Sequence, residues 1–164
     1  MVITRQIRRS QYRSLGLVGH GQFGRVYCAI HRKTGQFVAI KDLHKDRFPT
    51  HKFLRELRFL ISLEHPNIVT CHALEHSSSG RQLVLDYCEG GNLRSILNSD
   101  TVLTLEEILG FMLDLLAALN HAHQQGIVHC DIKPENILLQ LTPGGWTARI
   151  SDFGIARLSQ RSEE

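Results

Sequence analysis

The strongest constraint on this 164-residue chain is a polar run, His129-Cys130-Asp131-Ile132-Lys133-Pro134-Glu135-Asn136, followed downstream by Asp152-Phe153-Gly154. Within it, Asp131 could orient a hydroxyl group and Lys133 could neutralise a phosphate. The side chains of Asn136 and Asp152 could hold magnesium. An Asp, a Lys, an Asn and a second Asp at these offsets are typical of a phosphoryl-transfer site.

A glycine-rich turn lies near the start of the chain. Gly19-His20-Gly21-Gln22-Phe23-Gly24 has the Gly-x-Gly-x-x-Gly spacing, which dinucleotide-binding folds share. Those folds place a helix directly after the glycines, whereas a β-rich run over residues 25–30 follows here. The pattern therefore indicates a hairpin tip whose backbone N–H groups can approach phosphates, although a purely structural hairpin would have the same pattern.

A lysine that could reach the same phosphates closes the run Val38-Ala39-Ile40-Lys41. Residues two apart on a strand share a face, so Ala39 and Lys41 point the same way. An exposed lysine at a strand end is the simpler alternative. Lys41 would need a carboxylate to fix its position, and Glu56, on a predicted helix face with Phe53 and Leu60, is the best placed. A solvated Glu56 is the alternative.

The hydrophobic pattern divides the chain into a strand-rich part and a helical part. Strands are predicted within residues 12–41, near 70–76 and near 82–86, with a helix over about 50–63. Residues 88–91 form a linker. A short helix over 92–99, a long helix over about 105–124 and a hairpin around residues 143–145 follow. The long helix is apolar on nearly every side, which predicts burial on nearly every face.

Composition and charge argue against several classes of protein. With 42% hydrophobic and 21% charged residues, the chain is typical of a globular domain and not of a disordered tail. The net charge of +3 is dispersed, so no nucleic-acid partner is expected. The four cysteines form no Cys-x-x-Cys pair, and no run of about 18 apolar residues occurs. We therefore expect a cytoplasmic protein with no membrane segment.

Taken in order, these motifs resemble those of the eukaryotic-type protein serine/threonine kinase family, from about Tyr12 to the last residue. The resemblance implies an α+β, protein-kinase-like fold after an extension over residues 1–11. An antiparallel five-stranded N-lobe with one main helix would span residues 12–87. A hinge would span 88–91, and the first part of a mainly helical C-lobe would span 92–164.

The resemblance also implies an activity and its cofactors. Lys133, two positions after Asp131, resembles the Ser/Thr subfamily. The implied reaction is ATP- and Mg²⁺-dependent transfer of the γ-phosphoryl group to Ser/Thr hydroxyls of protein substrates. Asp131 would be the catalytic base, Lys133 would contact the γ-phosphate, and Lys41 would pair with Glu56. Asn136 and Asp152 would be the magnesium ligands.

The same resemblance outlines the ATP site. Backbone groups from Asp86 to Cys88 would bond the adenine, Leu85 would be the gatekeeper, and the adenine ring would lie between apolar side chains above and below it. The residues implied to bind ATP are Val18, Gly19, His20, Gly21, Gln22, Phe23, Gly24, Val26, Ala39, Lys41, Leu85, Asp86, Cys88 and Leu138.

Two features depart from the family's pattern. Cys130 stands where the family has an arginine that pairs with a phosphorylated activation loop, so control by that phosphorylation is not expected. The family's Ala-Pro-Glu motif does not occur in the 164 residues. We therefore expect impaired transfer, an exposed apolar patch and a C-terminal kinase half as a partner. The alternative is a non-catalytic nucleotide-binding fragment or a pseudokinase-like interaction module.

Overall fold

The first part of the fold is a five-stranded sheet. The computed structural model describes residues 11–21, 24–43, 63–77 and 80–153. The strands are β1 (Tyr12–Gly21), β2 (Gly24–His31), β3 (Phe37–Leu43), β4 (Cys71–Ser77) and β5 (Gly80–Asp86). They form the antiparallel five-stranded sheet that was predicted, and their order in it is β1-β2-β3-β5-β4. The helix predicted over 50–63, including Glu56, lies outside the described residues apart from Leu63.

The two faces of β3 have different roles. Successive side chains of a strand point to opposite faces, so Val38 and Ile40 share one face while Ala39 and Lys41 share the other. Val38 and Ile40 are buried in a cluster with Ala29 and Val84. β-branched side chains such as these pack well on a pleated surface. The sheet is therefore anchored by one face of β3, which leaves the face that carries Lys41 available to a site.

The second part of the fold is mainly helical. It contains α1 (Leu93–Leu97), α2 (Leu105–Gln124), a 3₁₀ turn (Pro134–Asn136) and the antiparallel hairpin of β6 (Ile137–Thr142) and β7 (Gly145–Ile150). A capping box fixes the start of α2. The Glu107 N–H donates to the Thr104 hydroxyl at 3.2 Å, and the Thr104 N–H donates to the Glu107 carboxylate at 2.8 Å.

The prediction that α2 is buried on nearly every face is wrong for the described fold. Only Phe111, Ala118 and Ala122 are buried on this helix. The reason is that α2 packs mainly on β7, and the rest of the described chain supplies no layer on its other side. At least 42% of each of six large apolar side chains is exposed: Leu105, Ile108, Leu109, Met112, Leu113 and Leu116.

Within the described ranges, no helix is long and apolar enough to cross a membrane.

The segment before β4 joins the sheet to the helical part. Val69 N–H donates to the Ile150 carbonyl at 2.9 Å, and Ile150 N–H donates to the Asn67 carbonyl at 2.8 Å. Ile150 is fully buried in a core cluster that also contains Leu63, Ile68, Ala118, Ala122 and Phe153. Because Ile150 precedes Asp152 by two residues, this cluster fixes the backbone position from which the Asp152 side chain extends.

Candidate active site

A cavity of about 430 Å³ is lined by the β1–β2 hairpin, β3, the linker after β5 and the segments around Asn136 and Asp152. Most residues expected to bind ATP line this cavity, namely Val18, Gly19, His20, Gly24, Val26, Ala39, Lys41, Leu85, Asp86, Cys88 and Leu138. Gly21 ends β1, while Gln22 and Phe23 lie outside the described residues. Tyr87, within the Asp86 to Cys88 stretch expected to bond the adenine, also lines it. Six lining residues had no predicted role in binding: Val69, Glu89, Gly91, Asn92, Glu135 and Ser151.

The third glycine of the turn is required by sterics. Gly24 has φ +144°, and a Cβ atom built there would lie 1.7 Å from the Asp42 carbonyl oxygen. That oxygen belongs to β3, which pairs with β2 directly at Gly24. Only a residue without a side chain lets the two strands approach at this point. The glycine motif thus brings the tip of the β1–β2 hairpin close to β3 and its lysine.

Lys41 and Asp152 meet at the cavity. The distance from Lys41 Nζ to Asp152 Oδ1 is 2.6 Å, and their side chains are 6% and 19% exposed. A charge-assisted hydrogen bond with so little exposure is strong, because water screens it weakly. The predicted pairing of Lys41 with Glu56 cannot be compared, since Glu56 lies outside the described residues.

The predicted catalytic side chains form a second polar cluster next to the cavity. Lys133 Nζ lies 2.8 Å from Asp131 Oδ2. The Asn136 side-chain amide donates to the Asp131 carbonyl at 2.8 Å and to its carboxylate at 3.1 Å. Burial opposes ionisation of Asp131, but the hydrogen bonds from Lys133 and Asn136 outweigh it and lower the pKa of this carboxyl group. Asp131 is therefore ionised at neutral pH and can accept a proton.

Ser151 connects this cluster to Asp152. The Ser151 N–H and hydroxyl both donate to the Asn136 carbonyl, at 2.9 and 3.1 Å. The amide of Asn136 uses its nitrogen on Asp131, so its side-chain oxygen is the atom that could ligate a cation. Within the described ranges, no three His, Cys, Asp or Glu side chains group as a metal site. Magnesium needs no such cage, because one or two side-chain oxygens, waters and phosphates suffice, and Asn136 with Asp152 fits that requirement.

His129 supports the catalytic run from inside the core. It is 1% exposed, its Nε2 lies 2.8 Å from the Ser151 carbonyl, and its Nδ1 accepts from the Asp131 N–H at 3.1 Å. These contacts assign the neutral tautomer with hydrogen on Nε2. Burial lowers the pKa of His129 below its ordinary value. Through these two hydrogen bonds the neutral imidazole connects the Asp131 backbone to Ser151, the residue before Asp152.

Backbone strain is concentrated in the same place. Among the described residues, Cys130 with φ 66° and Asp152 with φ 62° are the non-glycine residues in the left-handed region. Such conformations cost about 1–3 kcal/mol each and persist only where the surrounding structure imposes them. Both residues adjoin the contacts of His129, Ser151 and Asp131. The strained backbone therefore lies directly before Asp131 and at Asp152, where it helps to set the direction of both side chains.

Sequence reasoning missed a buried ion pair behind the linker. Arg149 Nη2 lies 2.6 Å from Asp86 Oδ2, and Arg149 is 7% exposed. His72 Nε2 lies 2.7 Å from Asp86 Oδ1, and the Thr70 N–H donates to Asp86 Oδ2 at 3.1 Å. Burial opposes ionisation of Asp86, but the Arg149 charge and these hydrogen bonds outweigh it and lower the pKa of the carboxyl group. The only signal in the sequence was a charged residue between Ala148 and Ile150.

Comparison with known proteins agrees with this geometry. The family model described as "Protein kinase domain" matches residues 12–164. The chain is 40% identical over 148 residues to the serine/threonine-protein kinase RUNKEL of Arabidopsis thaliana, which covers 90% of this chain and 10% of that protein. It is 39% identical over 146 residues to human serine/threonine-protein kinase D2, covering 87% of this chain and 17% of that protein.

A yeast relative extends the comparison to a smaller protein. The chain is 34% identical over 157 residues to the serine/threonine-protein kinase cds1 of Schizosaccharomyces pombe, covering 91% of this chain and 34% of that protein. The chain thus spans between a tenth and about a third of the length of these relatives. With the fold, the cavity and the match over residues 12–164 in agreement, the chain belongs to the protein kinase family.

Proposed function

We propose that this chain binds ATP with magnesium and transfers the γ-phosphoryl group to Ser or Thr hydroxyls of protein substrates. The observation that carries the proposal is the convergence of Lys41, Lys133, Asn136 and Asp152 on one cavity, with Asp131 bonded to two of them. The two lysine charges and the side-chain oxygens of Asn136 and Asp152 can bind a triphosphate and its metal ion. The ionised Asp131 carboxylate beside them can bind the acceptor hydroxyl.

Each side chain has a distinct part in this proposal. Lys41, fixed by Asp152, would hold the α- and β-phosphates, and Lys133 would neutralise charge on the transferred group. The Asp131 carboxylate would orient the acceptor hydroxyl and take its proton as the oxygen attacks phosphorus. The leaving group is the β-phosphate oxygen of ADP. Most of the catalytic effect would come from positioning and charge.

Magnesium fits the oxygen atoms that this site offers. The Asn136 amide oxygen and the Asp152 carboxylate would hold it. When bound, it would neutralise phosphate charge during transfer. Ser151 keeps these two residues together through its two hydrogen bonds to the Asn136 carbonyl.

The state of the cysteines supports a proposed cytoplasmic location. All four, Cys28, Cys71, Cys88 and Cys130, are free thiols, which suits a reducing compartment. The proposed acceptors are proteins, because the relatives named above are serine/threonine-protein kinases.

The nucleotide part of the proposal is tested by Lys41→Met. Binding of a fluorescent ATP analogue is titrated with and without magnesium, and Lys33→Met is the control because Lys33 is an exposed lysine in the β2–β3 turn. Removing a charge-assisted contact to phosphate is expected to weaken binding about tenfold or more, whereas Lys33→Met should bind like the unchanged chain. Equal binding by Lys41→Met would refute the assigned role.

The transfer part is tested by Asp131→Asn. Incorporation of labelled phosphate into a generic Ser/Thr protein substrate should stop in this variant, while affinity for the ATP analogue should change little. Asparagine is nearly isosteric but cannot accept the proton. Measurable transfer by the unchanged chain that Asp131→Asn retains at the same rate would refute the role of Asp131 as base.

A further inference from the structure

A buried arginine in β7 contacts the rim of the cavity where a nucleotide base would bind. Arg149 lies on the hairpin side of the cavity, while Asp86 ends β5 on the sheet side. Their ion pair, at 2.6 Å, has side-chain exposures of 9% and 18%. The Arg149 guanidinium also interacts with the Cys88 thiol. Arg149 therefore contacts Asp86 and lies close to Cys88, and both of these residues line the cavity.

The guanidinium is itself fixed by the surrounding fold. Arg149 Nη2 donates to the Ile68 carbonyl at 2.6 Å, and Nη1 donates to the Gln140 side chain at 2.8 Å. The planar fork of arginine can make these bonds together, whereas a lysine ammonium cannot match that geometry. The position of Asp86 is thus set from two directions, by Arg149 and by the segment before β4.

Thr70 transmits this constraint to the backbone of Asp86. The Thr70 N–H donates to the Asp86 carboxylate at 3.1 Å, and the Asp86 N–H donates to the Thr70 carbonyl at 3.0 Å. A carboxylate held by Arg149 and Thr70 therefore leaves the Asp86 backbone little freedom to rotate. His72 Nε2, at 2.7 Å from the other carboxylate oxygen, is the third partner of this carboxylate.

We propose that Arg149 is a positioning residue for base recognition, which fixes the backbone at Asp86 and Cys88 in the orientation that bonds the base of the nucleotide. This inference rests on the proposed function, because it assumes that the cavity takes a nucleotide. The phosphate end of the cavity lies at Lys41 and Asp152, which pair with each other at 2.6 Å. Loss of Arg149 should therefore weaken recognition of the base and spare recognition of the phosphates. The lowered pKa of Asp86 agrees with a carboxylate that stays charged beside the guanidinium.

The test compares two probes by isothermal titration calorimetry on the 164-residue chain. Magnesium–ATP uses both ends of the cavity, whereas magnesium tripolyphosphate lacks a base. Arg149→Met is expected to weaken magnesium–ATP about tenfold, since hydrogen bonds to the base lose their alignment, and to change magnesium tripolyphosphate less than about twofold. The control Arg13→Met removes an exposed arginine of β1 and should leave both affinities unchanged.

A second variant keeps the test decisive if Arg149→Met does not give soluble protein. Arg149→Lys keeps the charge but not the fork, and it should weaken magnesium–ATP at least about threefold with tripolyphosphate unaffected. Equal losses for both probes would mean a general structural role and would overturn the inference. Unchanged ATP affinity in a folded variant would also overturn it. If the unchanged chain binds neither probe, the proposed function itself is refuted.

Discussion

One methyl group at Gly90 is expected to destabilise this fold, because the position has no room for it. A Cβ atom built there would lie 2.6 Å from Trp146 Cζ3, 2.8 Å from Leu139 Cβ and 2.8 Å from the Leu139 carbonyl oxygen. Trp146 is 43% exposed and can swing away, whereas Leu139 is 3% exposed and lies in β6. Relief must therefore come from moving the linker away from the hairpin.

The magnitude follows from what such a movement would disrupt. The Gly90 N–H donates to the Leu139 carbonyl at 3.0 Å, and the Leu139 N–H donates to the Gly91 carbonyl at 2.9 Å. Overpacking costs about 1–3 kcal/mol, and each weakened hydrogen bond costs about 1 kcal/mol. We expect Gly90→Ala to lower the free energy of unfolding by about 2–4 kcal/mol, a large part of the roughly 5–15 kcal/mol of a typical domain.

Urea denaturation followed by tryptophan fluorescence measures this directly. The chain has a single tryptophan, Trp146, and it adjoins Gly90, so its signal reports the local packing. Gly110→Ala is the matched control, because Gly110 lies within α2 and a Cβ atom there would meet nothing within 4 Å. Alanine in a helix interior should raise the free energy of unfolding by about 1 kcal/mol.

The two variants make the same chemical change and should shift the unfolding midpoint in opposite directions. A midpoint for Gly90→Ala at or above that of the unchanged chain, with an unchanged slope, would refute the steric argument. Shifts of the same sign in both variants would show that the effect belongs to alanine in general and not to the contact with Leu139.

Two further predictions concern titrating groups. Because burial lowers the pKa of His129, its imidazole becomes protonated at a higher pH in the unfolded chain than in the folded one. The free energy of unfolding should therefore fall as the pH drops from about 6.5 through the lowered pKa of the folded state. Denaturation at several pH values should show a shallower fall in His129→Gln, and an identical fall would contradict the prediction. Burial also raises the pKa of Cys71 and of Cys88 to about 11, so at pH 8 roughly one such thiol in a thousand is ionised. Iodoacetamide at pH 8 should therefore modify the exposed Cys130 first, as read by peptide mass spectrometry, and faster modification of Cys88 would refute the assignment of burial.

Local features of the fold could be predicted because they depend on neighbouring residues. The alternation in Val38-Ala39-Ile40-Lys41 placed Ala39 and Lys41 on one face, and both line the cavity. The limits of α2 follow from its apolar period and the capping residues at Thr104 and Glu107. The hairpin of β6 and β7 turns where proline and glycine occur. Each of these signals acts over only a few positions of the chain.

The chemistry of the candidate site was also carried by the sequence. Asp131, Lys133, Asn136 and Asp152 were singled out by type and spacing, and the structure brings them to one place. Whether they act as proposed is a question for the variants described above. Glu56, Gln22 and Phe23 stay predictions, since they lie outside the described residues.

Tertiary structure decided the contacts that join distant segments. Lys41 meets Asp152 across 111 positions of sequence, and Arg149 meets Asp86 across the cavity wall. It also decided that α2 leaves one apolar side exposed, although its sequence predicts burial all round. The sequence by itself determined which side chains could do the chemistry and which short segments are strands or helices. Only the packing of those segments determined which charges become partners, because burial and distance depend on the whole fold and not on neighbours in the chain.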